Sequence, residues 1–180
     1  MAEIKSTLDL VVEKTKNLSL SSEERQTQKN LEIESRIRGL LQKFKDQTLN
    51  VDNFKSEYQK LQKDYDLAGN APLIREICGQ IKLGADNHAW FELLAEFKVS
   101  DIEKLTSILQ EFQTALDTAA GQRLKILKDQ LAKTHFISGS AVVPNLENDD
   151  EWRKDAVEIG SKFEPLLNQT KTKLLDAYFS

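Results

Sequence analysis

An unbroken apolar repeat in the second half of the chain constrains the fold more than any other feature. Between Asp101 and Phe136, seven helical steps cover 26 positions. Their mean, about 3.7 residues, is near the 3.6 of a straight α-helix and above the 3.5 of a coiled coil. This spacing predicts one long helix in a bundle, about 54 Å in length unless Gly121 breaks it. The repeat consists of Leu105, Leu109, Phe112, Leu116, Ala120, Leu124, Leu127 and Leu131.

Helix-breaking residues are also rare elsewhere, with seven glycines and three prolines among 180 residues. Apolar residues three or four positions apart predict further helices, and "LGADNH" predicts an interruption before "AWFELLAEF". We therefore expect a single all-α domain over residues 1–180, an antiparallel bundle of about six helices with one long irregular loop before the C-terminal helix. The further helical segments run from Ile4 to Leu18, Leu31 to Phe44, Phe54 to Tyr65, Leu73 to Ile81 and Trp152 to Tyr178.

Several residues have the chemistry of helix starts. A Ser or Thr followed three residues later by Glu forms a capping box, in which each side chain accepts a hydrogen bond from an otherwise free backbone N–H. Pro72 suits a first helical turn, whereas Pro165 is expected to kink or split the last helix. The expected helix starts are the capping boxes Ser21 with Glu24 and Ser100 with Glu103, the N-cap Asp52, and a cap among Asn148 to Asp150.

Charge and composition argue against several classes of protein. The net charge of -4, from 29 acids and 25 bases, disfavours nucleic acid as a partner. No run approaches the roughly 20 apolar residues of a membrane span, and the N-terminal residues lack the basic flank of a signal peptide. Cys78 is the single cysteine, so no intramolecular disulfide can form. These observations favour a cytoplasmic protein without membrane or nucleic acid partners.

No constellation of residues predicts catalysis or a cofactor. His88 lies near Asp86 and Glu92, but neither histidine has the Glu three positions earlier that carboxylate-bridged metal bundles use, so no metal is expected. Cys78 lies on an apolar helix face, which predicts a core residue with a raised thiol pKa. There is no glycine-rich phosphate loop. We therefore lean towards a protein that is not an enzyme.

The segment "HFISGSAVVPNLENDDEW" interrupts the helical pattern for longest. Gly139 and Pro144 exclude a continuous helix there, so extended backbone is expected. One interpretation is a connector whose valines plug an end of the bundle. The other is a recognition loop for a partner. The candidate loop residues are Ser138, Gly139, Ser140, Val142, Val143, Pro144 and Asn145.

Two hypotheses for function follow. The first is a non-enzymatic protein that binds other proteins, as an adaptor, assembly factor or small chaperone, with self-association favoured by the long apolar helix face. The alternative is a bundle that binds a small molecule, or acts on it, in a pocket under the 138–145 loop. The candidate pocket wall consists of His88, Trp90, His135 and Trp152.

The first quarter of the chain carries one family resemblance. The segments "LDLVVEKTKNL" and "SLSSEERQTQKNLEIESRIRGLLQKF" resemble the opening of an uncharacterised bacterial all-helical family of unknown function. The resemblance implies a helical bacterial protein and implies no particular activity.

Overall fold

The computed structural model describes residues 21–179, and within that range it is all-α. It contains six α-helices, one turn of 3₁₀-helix at Leu146–Asn148 and no β-strand over those residues. The predicted fold class is thus confirmed, while the segment from Ile4 to Leu18 lies outside the described residues. The helices are α1 (Ser22–Lys45), α2 (Val51–Tyr65), α3 (Ala71–Gln80), α4 (His88–Glu96), α5 (Ile102–His135) and α6 (Asp150–Phe179).

The chain divides into two compact units, residues 1–67 and 68–180. The boundary falls in the turn "DLAGNAP", which separates α2 from α3. Glycine and proline in such a turn end one helix and begin the next. The expectation of a single domain stays a prediction, and the two units are described separately.

Helices α1 and α2 of the first unit form an antiparallel hairpin. The rings of Phe44 and Phe54 pack edge to face across the turn, with centroids 5.6 Å apart. At the other end of the hairpin the Tyr65 hydroxyl donates a hydrogen bond to the Glu32 carboxylate. The buried side chains of this unit lie on the facing stripes of the two helices: Ile33, Ile37, Leu40, Leu41, Phe44, Phe54, Tyr58 and Leu61.

The capping box at the start of α1 is confirmed. The Ser21 hydroxyl accepts from the Glu24 N–H at 3.1 Å, and the Ser21 N–H donates to the Glu24 carboxylate at 2.7 Å. The prediction for α2 is wrong, because Asn50 caps that helix by accepting from the Asn53 N–H at 2.8 Å. An N-cap needs non-helical backbone dihedrals. Asn50 has them, whereas Asp52 already lies inside the helix.

The second predicted capping box, Ser100 with Glu103, does not form. The residue before α5 is Asp101, which has a left-handed backbone (φ 63°, ψ 16°) and makes no side-chain cap bond. The Ser100 N–H instead donates to the Tyr178 hydroxyl at 3.3 Å. A tertiary bond to α6 thus replaces the local motif that the sequence suggested.

The core of the second unit lies where α3 and α4 pack against the first turns of α5 and the last turns of α6. Pro72 lies in the first turn of α3, as predicted. Cys78 is 1% exposed and belongs to this core, and burial raises the pKa of its thiol to about 11. The other core residues are Leu73, Ile74, Ile77, Ile81, Trp90, Leu93, Leu94, Val99, Leu105, Phe112, Leu167 and Leu174.

The predicted interruption between α3 and α4 is a turn organised by Asn87. Its side-chain oxygen accepts from the Lys82 N–H at 3.0 Å, and its amide nitrogen donates to the carbonyls of Lys82 and Ala85 at 2.8 and 3.0 Å. Gly84 has φ +67°, which suits glycine in such a turn. One buried amide therefore satisfies three backbone groups of the turn between α3 and α4.

Helices α5 and α6 form an antiparallel hairpin and make the most extensive helix contact of the second unit. The Phe112 and Phe163 rings pack edge to face at 5.7 Å. Gly121 does not break α5, and Pro165 does not split α6, because each lies inside a continuous helix. At about 1.5 Å per residue, the 34 residues of α5 span about 51 Å.

Burial along this hairpin is uneven. Every residue from 113 to 166 is described, and none of them is fully buried. The apolar seam between α5 and α6 is thus only partly covered over more than half the length of α5. In the described part of the chain, no helix is both long and apolar enough to cross a lipid bilayer.

Candidate interaction site

The loop that joins α5 to α6, residues 136–149, is the strongest candidate site, and we call it the hairpin tip. It begins where α5 ends at Phe136, which has a left-handed backbone with φ 56° and ψ 25°. The Phe136 and Ile137 N–H groups both donate to the Leu131 carbonyl. This conformation costs a bulky residue about 1 kcal/mol, and helix ends of this kind usually carry Gly or Asn.

Three large apolar side chains of the hairpin tip are exposed. Phe136 is 90% exposed and Val143 77% exposed, and Ile137 is exposed as well. Soluble proteins seldom expose several large apolar groups in one short segment unless the segment binds something. The interpretation in which both valines plug the bundle is wrong for Val143, whereas Val142 is half-buried.

An ion pair fixes the C-terminal end of the hairpin tip to α5. The Arg123 guanidinium donates to both carboxylate oxygens of Asp149, at 2.7 and 2.8 Å. The Trp152 N–H also donates to Asp149, at 2.7 Å, so Asp149 caps α6 from within the predicted range 148–150. The hydrogen bonds from Arg123 and Trp152 lower the pKa of Asp149. The carboxylate thus remains ionised at neutral pH.

Internal hydrogen bonds order the rest of the hairpin tip. The Val142 N–H donates to the Gly139 carbonyl at 3.3 Å. The Asn145 side chain accepts from the Glu147 N–H at 3.0 Å, which starts the 3₁₀ turn. The exposed apolar residues are therefore held on a structured loop and need less ordering on binding.

A cleft of about 550 Å³ lies between the end of α5 and the hairpin tip. Its lining combines two leucines with residues that carry amide and hydroxyl groups. His135, Pro144 and Asn145, which the sequence had suggested, are part of it, and the His135 residue is exposed. The complete lining is Leu127, Gln130, Leu131, Thr134, His135, Pro144, Asn145, Asn148 and Asp149.

The other suggested wall residues lie elsewhere. Trp90 is a core residue of α4, and His88, the first residue of α4, is exposed. Trp152 is half-buried in the first turn of α6 and contributes its N–H to the Asp149 cap. The structure thus brings His135 to the cleft, without His88, Trp90 or Trp152 among the lining residues.

Sequence reasoning missed Phe136 and Ile137 as site residues. They belong to the segment that interrupts the helical pattern, but the candidate loop residues began only at Ser138. The residues "SGS" indicate that the helix ends near Phe136 and Ile137, but whether these two side chains pack or stay exposed depends on the tertiary structure. The Arg123–Asp149 pair carried no local signal, since 26 residues separate its members.

Metal chemistry has no support among the described residues, because no three His, Cys, Asp or Glu side chains are grouped to hold an ion.

The chain matches no protein-family model, no curated protein and no solved structure. Its resemblance to a bacterial helical family therefore stays a prediction.

Proposed function

We propose that this is a non-enzymatic interaction protein, an adaptor, assembly factor or small chaperone, that binds a partner protein through the hairpin tip. The observation that supports this most directly is Phe136, which combines 90% exposure with a left-handed backbone. A residue with both properties contributes little to its own fold. A phenyl ring at an exposed helix end, where Gly or Asn is usual, is therefore available to contact a partner.

The chemistry of the tip also indicates the kind of partner surface. Phe136 and Val143 project as apolar knobs, so the matching surface is a concave apolar pocket. Transfer of a phenyl ring into such a pocket contributes about 2 kcal/mol, roughly 30-fold in affinity. The Arg123–Asp149 pair, at the base of the tip, limits the loss of loop entropy on binding.

We place this interaction in a bacterial-type cytoplasm. The single cysteine is buried in the core, which suits a reducing compartment. The resemblance of the first quarter to a bacterial helical family points the same way.

Affinity capture from native extract with point variants tests the proposal. Phe136→Asn keeps a residue that tolerates the left-handed backbone and removes the ring, so the fold should persist while partners are lost. Val157→Asn is the matched control, because Val157 is also exposed, at 69%, but lies on α6 outside the tip. Partners retained by the control and lost with Phe136→Asn support the proposal. Equal retention by both variants would count against it.

The cleft under the tip supports a second candidate function, the binding of a small polar molecule. A volume of about 550 Å³ falls within the usual range for ligand pockets, and Gln130, His135 and Asn145 offer hydrogen-bonding groups. A thermal-shift screen with anions, nucleotides and metal ions tests it. A saturable shift that His135→Ala and Gln130→Ala both remove supports this function, and no shift across the screen argues against it.

A further inference from the structure

A second cavity of the second unit lies between the end of α3 and the middle of α6, with a volume of about 430 Å³. Gly79 and Gly160 form part of its walls, and an added Cβ at either would meet no heavy atom within 4 Å. The cavity therefore has open space beside both helices. The polar side chains that line it are Lys82, Glu164, Asn168 and Lys171.

Lys171 is the unusual member of this group. It is half-buried, and its ammonium donates a hydrogen bond to the Ile81 backbone carbonyl just after α3. A carbonyl oxygen only accepts, so in the neutral amine this bond holds the nitrogen in place and leaves its lone pair available.

The pKa of Lys171 is lowered, so a larger fraction of its amine is neutral than in an exposed lysine. Burial lowers the pKa of Lys171, and the positive charge of Lys82 lowers it further. Cys78 and Glu164 act in the opposite direction and raise it. Neutral lysine is a nucleophile, whereas the ammonium is not, and desolvated lysines in clefts are the ones that proteins use to form imines. Lys171 lines an open cavity, so a small carbonyl compound can reach its amine.

We propose that Lys171 captures small carbonyl compounds that carry an anionic group. The amine attacks the carbonyl carbon, a C–N bond forms and a carbinolamine results. Loss of water then gives the imine, with both amine hydrogens leaving on the former carbonyl oxygen. The Lys82 ammonium, which lines the same cavity, attracts the anionic group. This site differs from the hairpin tip, so it stands or falls independently of the proposed function.

Reductive trapping on the full-length protein tests the proposal. The protein is treated with glyoxylate and cyanoborohydride at neutral pH, and adducts are located by peptide mass spectrometry. Lys173 is the internal control, because it lies on the same helix two residues away and is exposed. We expect Lys171 to be modified several-fold faster than Lys173. Equal or slower modification of Lys171 overturns the proposal.

Two variants test the roles of the two lysines. Lys171→Arg keeps a cation and a donor for the Ile81 carbonyl but cannot form an imine, so labelling at this position should vanish while the melting temperature is kept. With Lys82→Gln, labelling of Lys171 by glyoxylate should fall several-fold further than labelling by the uncharged aldehyde propanal, because both aldehydes lose the effect of Lys82 on the Lys171 pKa and only glyoxylate also loses the charge attraction. If Lys82→Gln leaves the ratio of glyoxylate labelling to propanal labelling at Lys171 unchanged, Lys82 does not attract the anionic group and its role in the proposal is wrong.

Discussion

Arg123 and Asp149 form a two-point ion pair whose carboxylate also caps α6. One Asp149 oxygen accepts from both the Arg123 Nε–H and the Trp152 N–H, at 2.7 Å each, and the other accepts from Arg123 at 2.8 Å. Their side chains are 18% and 13% exposed. A single carboxylate thereby joins the middle of α5, the end of the hairpin tip and the first turn of α6.

Substitutions at Asp149 should separate its two roles. Asn caps helices about as well as Asp does, so Asp149→Asn loses only the ion pair, whereas Asp149→Ala loses the cap as well. We expect the melting temperature to fall by a few degrees with Asp149→Ala and by less with Asp149→Asn. Thermal unfolding followed by circular dichroism measures this. A wild-type melting temperature for Asp149→Ala would mean that the pair does not hold the tip.

The same carboxylate should contribute to the pH dependence of stability. Arg123 and the Trp152 N–H hold the folded pKa of Asp149 below its ordinary value of 3.8. The unfolded chain therefore takes up a proton first as the pH falls. The contribution is complete above 3.8 and is lost as the pH falls below it through the folded pKa. The stability difference between wild type and Asp149→Asn, measured by urea unfolding from neutral pH downwards, should shrink over that acidic range and stay constant above it.

Local chemistry predicted most of the helices and the capping box of α1, because these depend on residues within one or two turns. It failed at Ser100, where the backbone N–H bonds to Tyr178 of another helix. It also failed at Asp52, because Asn50 offered a competing cap two residues earlier. The hairpin tip shows most clearly what the sequence cannot predict. The loop was evident from Gly139 and Pro144, whereas the exposure of Phe136 depends on tertiary packing that no spacing reveals.

The buried amide of Asn87 should be one of the main polar contributors to the stability of the second unit. Asn87→Ala leaves the Lys82 N–H and the carbonyls of Lys82 and Ala85 without their partner. We expect a loss of about 2–3 kcal/mol and a fall of roughly 5–10 °C in melting temperature. Asn145→Ala is the control, because Asn145 is exposed and, among the residues that the structure describes, its side chain accepts one hydrogen bond, from the Glu147 N–H. Its cost should stay within about 0.5 kcal/mol. Similar losses in both variants would contradict the role given to Asn87.

Two glycines on either side of the end of α5 should respond to the same substitution with opposite signs. Gly121 lies inside α5, and an added Cβ there meets nothing within 4 Å. Alanine at this position should stabilise the protein by about 0.5–1 kcal/mol, because glycine loses more backbone freedom on folding. Gly139 also has open space, but its φ of +134° is one that L-residues rarely adopt. Gly139→Ala should therefore destabilise by about 1–3 kcal/mol. Thermal unfolding of the two variants measures both effects. A lower melting temperature for Gly121→Ala would mean that the added methyl group collides with another part of the protein or with a second copy of it.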